Sequence, residues 1–592
     1  MIRTICAITS ATVLSAGMNA FAADISQGDT LIVTATRTPI QQADATVPVT
    51  VITREEIALS LAADLSELLR FQAGIDIGRS GGPGQSTSLF LRGTESNHTL
   101  VLIDGVRMNP GTIGGAAVQN ISPEMIERIE IVKGARSALF GTDAIGGVIN
   151  IITRRTRQGY LEGGMGSGSF ATRSGHVSGG NRTANTEIGI NLDWQDTEGY
   201  APRLDSDIKR GYDNLSANLY ASRTFGNSDL SLRHWRGGGN VEYLDFFLAP
   251  VDQDFENAIS SVVLDSRISP SSNSKLVVSH ARDNIQQQQS PDYVNSERLS
   301  LDWQFSKAFE DHTVTGGLYF VDEDASSLSF GSGFDERTLT RAVFIQDQLS
   351  AGRHRGFAAV RFTDHENFGG QVTWNAEYAI AINEGVTLNV GLGHAFRAPD
   401  ATDRFGFGGT VGLRPEVADE LQLGIRYVAA EKHRINFELY ANTIEDLIEF
   451  DFATFMLLNL EEADIRGAQL GYEFHGENFL VRADFVKQRA ENSATGARLL
   501  RRAEETATLS ITRSIGAHRI GVSVLAAGDR EDFGGVRLPG YAVTNLTGLL
   551  QLGDQWQLNA RVENLANRQY QTAADYRMQE RSAFFELRYR WQ

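Results

Sequence analysis

The stretch that decides the fold is Trp556-Gln557-Leu558-Asn559-Ala560-Arg561-Val562-Glu563, in which apolar and polar side chains alternate strictly. A period of two is typical of a β-strand whose faces meet different surroundings. In a soluble sandwich the apolar face turns towards a dry core, whereas in a membrane-spanning barrel it turns towards lipid. Charges such as Arg561 and Glu563 within the strand do not suit a dry core. The polar face therefore indicates a wide, wet lumen, and we predict a membrane-spanning β-barrel.

The same alternation recurs along most of the chain. It is found at residues 188–194 and 386–392, and in the last stretch, where Phe585, Leu587, Tyr589 and Trp591 alternate with charged residues. At roughly 20 residues per strand and connection, residues 156–592 give about 22 antiparallel strands, a size at which barrels have a plugged lumen. The predicted fold class is mainly β, and another part of the chain has to fill the lumen.

Composition narrows the class of function. The 592 residues carry a net charge of -19, which argues against nucleic acid as a partner, because binding phosphates needs clustered Lys and Arg. Hydrophobic residues make up 41% of the chain, too many for a disordered acidic protein. No run of about 18 apolar residues follows the N-terminal leader, so we expect no transmembrane helix.

Residues 1–22 are predicted to be a signal peptide. Arg3 supplies the positive start, residues 5–14 are apolar, and Ala20-Phe21-Ala22 fits a cleavage site with small residues. Cleavage there removes Cys6, the only cysteine, so the mature protein is expected to have no disulfide.

Residues 23–40 contain a β-prone run, Asp29, Thr30, Leu31, Ile32, Val33, Thr34 and Ala35. Pro39 follows closely, and we expect the run to have no hairpin partner nearby. An unpaired strand near a terminus can add itself to the edge of another protein's sheet.

Residues 41–155 have the pattern of a small α+β domain. Thr53 and Glu56 form a capping box, after which apolar residues at helical spacing predict one helix through Leu69, with Gly74 as its stop. Two glycine-rich loops follow, at residues 81–87 and 108–117.

Several ordered motifs in this domain resemble the plug of TonB-dependent outer-membrane receptors. They are Leu91-Arg92-Gly93, Val101-Leu102-Ile103-Asp104-Gly105-Val106-Arg107, Ile126-Glu127-Arg128-Ile129-Glu130 and the run at residues 141–153. The Asp29 to Ala35 run is similar to the TonB box of these receptors, and residues 137–147 are most similar to the cobalamin (vitamin B12) subgroup. The resemblance implies residues 41–155 as a plug inside a barrel of residues 156–592, in the outer membrane of a Gram-negative bacterium.

The resemblance also implies partners and a transport function. TonB, with the inner-membrane complex that uses the proton-motive force, would bind the box; a corrinoid would be the ligand, outer-membrane lipid would surround the barrel, and we expect a monomer. Both plug loops would contact substrate, through Gln85, Ser86, Thr87, Met108, Asn109 and Thr112. Tyr243, Phe246 and Phe247 offer rings on which a macrocycle could stack.

Two further questions stay open at this point. Asp205, Asp207, Asp213 and Asp245 could hold calcium, as loop aspartates do in cobalamin receptors, or could be solvated loop acids. The plug loops have no basic cluster of the kind that ferric siderophores often need, which favours a corrinoid over a siderophore, heme or another nutrient. We find no catalytic constellation and expect neither an enzyme nor a catalytic cofactor.

Overall fold

A computed structural model describes residues 31–32, 34–155, 159–451, 453–460 and 462–591. The predicted signal peptide lies outside the described residues, as do Asp29, Thr30 and Val33 of the predicted box. Among the described residues, no helix combines the length and the apolarity that crossing a membrane requires.

Up to residue 155, the described part of the chain folds into nine short strands and three short α-helices. In chain order the strands are β1 (Leu31–Ile32), β2 (Ile40–Gln41), β3 (Val49–Thr53), β4 (Ile75–Arg79), β5 (Thr87–Leu91), β6 (Thr99–Ile103), β7 (Val106–Arg107), β8 (Ile126–Lys133) and β9 (Gly147–Thr153). The helices are α1 (Arg54–Ser60), α2 (Leu65–Leu69) and α3 (Ser137–Phe140).

A five-stranded sheet in the order β3-β8-β9-β6-β7 forms the centre of this domain. Strand β6 runs parallel to β9, and the other neighbours are antiparallel. The tight turn between β6 and β7 places Asp104 at φ 51° and Gly105 at φ 85°, the left-handed backbone that an Asp-Gly hairpin turn requires. The Asp104-Gly105 pair therefore joins two antiparallel strands of the plug sheet.

The predicted single helix is instead two helices. The capping box of Thr53 and Glu56 starts α1 as expected, but Leu61 then adopts φ 49°, which ends the helix. Asp64 caps α2 by accepting a hydrogen bond from Glu67 N at 3.0 Å. The break brings the Leu61 carbonyl to Arg561 Nη1 of the barrel wall, 2.8 Å away, a contact that helical periodicity could not reveal.

The rest of the chain is dominated by long strands. They are β10 (Tyr160–Gly168), β11 (Arg173–Arg182), β12 (Thr186–Tyr200), β13 (Arg210–Phe225), β14 (Ser228–Leu244), β15 (Pro250–Ser269), β16 (Ser272–Gln287), β17 (Tyr293–Phe309), β18 (His312–Ser329), β19 (Ser332–Ala351), β20 (His354–His365), β21 (Gly369–Ala381), β22 (Val386–Arg397), β23 (Glu416–Ala429), β24 (His433–Glu445), β25 (Ile448–Asp451), β26 (Met456–Asn459), β27 (Glu462–His475), β28 (Phe479–Asn492), β29 (Glu505–Ile515), β30 (His518–Ala527), β31 (Arg530–Asp532), β32 (Val536–Leu538), β33 (Tyr541–Leu552), β34 (Trp556–Glu563) and β35 (Ser582–Trp591). A short helix, α4 (Ala401–Phe405), follows β22.

Within the described residues, 22 of these strands close into one antiparallel barrel, as predicted. The closure joins β10 to β35, with Leu161 opposite Trp591. Strands β25–β26 and β31–β32 form separate hairpins in the connections at one end. That end carries long connections such as residues 398–415 and 564–581, whereas the other end has tight turns such as 226–227 and 310–311. Long loops mark the outer face of such barrels and short turns the periplasmic face.

The two faces of each strand follow the alternation in the sequence. Ile188, Ile190, Leu192 and Trp194 point outwards and are exposed, as a lipid-facing surface requires. Asn559 and Arg561 point inwards and are buried, and Arg561 Nη2 lies 3.5 Å from Glu67 Oε2 of the N-terminal domain. The domain therefore occupies the lumen as a plug, and inward charges of the wall are paired with it.

Candidate functional site

The described part of the predicted box is folded back on the plug. Ile32 of β1 pairs with Ile40 of β2, and its side chain is 0% exposed. Ile32 and Ala35 belong to an apolar cluster with Val49 and Val132 of the central plug sheet. The expectation that the box has no hairpin partner nearby is wrong, because the chain turns over residues 34–38 and β2 then pairs with β1.

Polar contacts with the plug hold the centre of this segment. Glu130 Oε2 of β8 accepts hydrogen bonds from Thr34 N at 3.0 Å and from Thr34 Oγ1 at 2.6 Å. Asn150 Nδ2 of β9 donates to Thr34 Oγ1 at 3.1 Å. All three side chains are buried, so bonds to the Glu130 carboxylate are worth more than exposed ones.

The barrel wall holds the next residues. Arg37 forms a salt bridge with Asp302 of β17 and donates from Nη1 to the carbonyl of Leu139 at 2.6 Å. From β19, Gln346 Nε2 donates to the carbonyl of Thr36 at 2.5 Å, and the Gln348 amide donates to the Thr38 hydroxyl at the same distance. Plug and wall thus clamp the segment between them.

This clamp lies towards the periplasmic end of the barrel. Just beyond β2, the Asp44 carboxylate is 3.0 Å from Arg355 Nε, and Arg355 follows the tight turn at residues 352–353. A strand released from the clamp would therefore emerge on the periplasmic side.

At the opposite, outer end, a cleft lies between the plug and one side of the wall. The plug contributes Pro110, Gly111 and Gly114 from its second glycine-rich loop, together with residues 140–143. The wall contributes strands β17 to β20 and the connection at 398–405, including Tyr319 and Phe405. We call this space the outer cleft.

Five arginines and four acids line the outer cleft, in contrast to the acidic balance of the whole chain. Three of the arginines are paired with acids. These pairs are Arg107 with Asp143, Arg298 with Glu323 at 2.5 Å, and Arg397 with Asp400 at 2.9 Å. The other two, Arg361 and Arg404, were not predicted as site residues.

The geometry of one outer connection depends on Arg397. Its guanidinium also binds Glu416 at 2.6 Å and the Asp403 carboxylate, so that it ties β22, α4 and β23 together. Burial and the neighbouring Asp403 raise the pKa of Asp400 well above its usual range. The segment Phe396-Arg397-Ala398-Pro399 is therefore part of the cleft wall.

The predicted substrate residues are divided among different surroundings. Met108 is buried in the plug core, and Asn109 is fully engaged, donating to the carbonyls of Thr99 at 3.0 Å and Gly114 at 2.8 Å. Thr112 is buried, with an Oγ1 that has no hydrogen-bond partner among the described residues. The loop that carries these three residues lines the outer cleft with Pro110, Gly111 and Gly114.

The other predicted substrate residues lie beside different strands. Gln85 Nε2 donates to the carbonyl of Glu242 on β14 at 2.9 Å, while Ser86 is exposed and Thr87 half-buried. Phe246 and Phe247 are 89% and 84% exposed in the connection after β14, and Tyr243 Oη donates to Gln287 Oε1 at 2.6 Å. None of these residues lines the outer cleft, and their contact with substrate stays a prediction.

The four predicted calcium ligands are not brought together. Asp205 lies 3.1 Å from Arg203, Asp207 is exposed, and Asp213 lies within β13. Asp245 accepts hydrogen bonds from the backbone N–H groups of its own turn. Among the described residues, no group of three or more His, Cys, Asp or Glu is arranged to hold a metal. Calcium binding stays a prediction from the sequence.

Both parts of the chain, the plug and the barrel, match known protein families. Residues 41–148 match the TonB-dependent receptor plug domain, and residues 152–565 match the TonB-dependent receptor-like β-barrel. The chain belongs to the TonB-dependent receptors. The receptor is therefore an outer-membrane protein of a Gram-negative bacterium that works with TonB and binds a transported ligand. The family consists of transport receptors, which confirms that the chain is not an enzyme.

Three individual proteins illustrate the similarity. The receptor is 26% identical to the vitamin B12 transporter BtuB of Photobacterium profundum, over 96% of this chain and 97% of that protein. It is 29% identical to the vitamin B12 transporter BtuB of Vibrio vulnificus, over 97% and 96%. The siderophore receptor PirA from Acinetobacter baumannii superposes with a TM-score of 0.81 at 17% identity, over 93% of this chain and 99% of PirA. At that identity the superposition shows the fold alone.

Proposed function

We propose that the receptor transports cobalamin or a related corrinoid across the outer membrane into the periplasm. The observation that carries the proposal is the similarity to two vitamin B12 transporters over nearly the whole chain. A similarity of that extent includes the plug loops and outer connections that meet a ligand, as well as the barrel.

In the proposed transport cycle, the corrinoid binds at the outer end, above the plug. Binding then favours release of residues 31–38 from the clamp, and the freed strand pairs with the edge of a TonB sheet. The backbone of β1 is already paired with β2. When a TonB strand takes the place of β2, new backbone hydrogen bonds replace the old ones, so that no backbone group of β1 loses its partner. Energy from the inner-membrane proton gradient, delivered through TonB, then shifts or locally unfolds the plug.

A ferric siderophore is the second candidate ligand, because of a specific feature of the outer cleft. The plug loops have few basic residues, but the wall supplies Arg298, Arg361, Arg397 and Arg404. These wall arginines offset the lack of a basic cluster in the plug loops, so an anionic ligand is compatible with the cleft. Arginine suits the oxyanions of such ligands.

Ligand binding to the purified receptor tests the proposal. Cyanocobalamin and a set of ferric catecholate and ferric carboxylate siderophores would be titrated separately, with and without calcium. We expect saturable binding of cyanocobalamin alone. Saturable binding of a siderophore with no binding of cyanocobalamin would replace the corrinoid by that ligand, while leaving the receptor family unchanged.

A further inference from the structure

One guanidinium in the outer cleft forms no salt bridge among the described residues. Arg361, on β20, is only 1% exposed. Its Nε donates to Thr363 Oγ1 at 3.0 Å, but its buried Nη1 has no hydrogen-bond partner among the described residues, and there it forms no salt bridge. An unpaired buried cation is costly to a folded protein, so a partner that arrives later would gain a strong interaction.

The packing around Arg361 fixes the guanidinium in place. Its Cζ lies 5.0 Å from the centre of the Tyr319 ring, a cation–π contact. On the plug side it faces Gly141, at φ 86°, where an added Cβ would come within 3.2 Å of Arg361 Nη2. Because Arg361 also lines the outer cleft, a ligand group would reach the guanidinium from that side.

A second arginine borders the same space. Arg404 of α4 lies against Phe405, with 4.6 Å between Cζ and the ring centre, and its buried Nε has no hydrogen-bond partner in the described part of the chain. Like Arg361, it forms no salt bridge in that part. The remaining lining arginines are each paired with an acid. The fourth lining acid, Glu336, is the charged neighbour of Arg404, so the net excess of the cleft is one positive charge.

We propose that the outer cleft binds an anionic group of the transported ligand, with Arg361 as its hydrogen-bond donor and Arg404 as a second positive charge at the rim. The planar fork of a guanidinium matches two oxygens of a phosphate ester or a carboxylate. If the ligand is cobalamin, which rests on the proposed function above, the group is the phosphodiester that links its lower base to the corrin side chain.

The test compares two corrinoids that differ in this group. Cobinamide has the corrin ring but no phosphodiester and no lower base. For the full-length receptor with Arg361→Gln, we expect cyanocobalamin to bind at least tenfold more weakly, as the loss of a charge-assisted hydrogen bond implies. Cobinamide should bind within about twofold of its wild-type affinity.

Two further variants make the comparison specific. Arg361→Lys keeps the charge but not the fork, and should lie between wild type and Arg361→Gln. Arg337→Gln removes an exposed guanidinium of β19 that pairs with Asp322 outside the cleft, and should change neither affinity. Circular dichroism and heat-modifiable migration in detergent show whether each barrel is folded.

The possible results separate this inference from the proposed function. Unchanged cyanocobalamin binding by folded Arg361→Gln, or equal loss for both corrinoids, would overturn the anion site. If the wild type binds neither corrinoid, the proposed function fails, and phosphorus NMR of inorganic phosphate becomes the test. Line broadening by wild type but not by Arg361→Gln then supports the site, and equal behaviour of the two overturns it.

Discussion

The two ends of the plug–barrel interface differ in how completely their charges are paired. Near the periplasmic end, Thr34 is bonded to Glu130, and Arg37 is paired with Asp302. At the outer end, the described contacts leave Arg361 and Arg404 without a carboxylate partner. The same interface is thus closed by its own residues at one end and open to a ligand at the other.

The two ends differ in how much interaction free energy a new binding partner would add. A buried group that already has a hydrogen bond gains little from exchanging it, whereas an unpaired one gains the full interaction. At the outer end, the arginines without a salt bridge are therefore available to bind an anionic ligand. At the periplasmic end, the existing contacts hold residues 31–38 in place. Four experiments would break or sharpen this contrast.

The largest effect should come from Ile32→Pro in the box. Proline removes the backbone N–H and disfavours pairing with either β2 or a TonB strand. We expect uptake of radiolabelled cyanocobalamin to fall to background while binding to intact cells persists. Ile32→Ala, which keeps the N–H but loses apolar packing, should retain most uptake. Normal uptake by the proline variant would show that this strand is not the coupling element.

A large effect is also expected from Asp302→Asn, which breaks the salt bridge with Arg37. The pair is partly buried, and a hydrogen bond between charged groups contributes about 2 kcal/mol, enough to favour release of the segment when it is lost. With Ala35→Cys as reporter, maleimide labelling from the periplasmic side should become at least tenfold faster.

Asp322→Asn, which removes an acid paired with the exposed Arg337, is the matched control and should leave the labelling rate unchanged. Equal labelling rates in wild type and Asp302→Asn would mean that the Arg37 salt bridge does not hold the box.

A smaller effect is expected from Gln346→Ala, which removes a neutral hydrogen bond to the carbonyl of Thr36. Such a bond contributes about 1 kcal/mol, equivalent to about a fivefold change in an equilibrium. The same reporter should therefore label a few times faster than in wild type. A rate as high as that of Asp302→Asn would contradict the ranking of charged above neutral contacts.

The smallest effect should be that of calcium. Because no three acids among the described residues are arranged to hold a metal, chelation of calcium should change cyanocobalamin affinity less than about twofold. Isothermal titration with and without a chelator measures this directly. A tenfold loss of affinity on chelation would show that the loop aspartates assemble around calcium after all.

Much of the fold could be predicted because it follows from local sequence patterns. Alternation in residues 556–563 indicated which side chains face lipid, and division of the barrel length gave the strand number. The capping box of Thr53 correctly located the start of α1. Each of these depends on neighbours within a few residues.

The features that were predicted wrongly or missed depend instead on contacts between residues far apart in the sequence. Leu61 interrupts a run of good helical spacing, and its carbonyl contacts Arg561, 500 residues further along the chain. Strand β2 pairs with the box although Pro39 lies between them. Arg361 is one of many inward-facing polar residues, and only its surroundings distinguish it from the others.

By itself, then, the sequence determined the barrel and the plug, because periodicity and motif order record which faces meet lipid and which fill the lumen. Only the tertiary structure decided which charges are paired. Whether Arg37 or Arg361 has a partner depends on Asp302 and Gly141, residues distant in sequence that the closed barrel brings beside them. Which charged side chains become neighbours depends on how the barrel closes around the plug. As a result, Arg37 is paired near the periplasmic end, whereas Arg361 at the outer cleft has no salt bridge among the described residues.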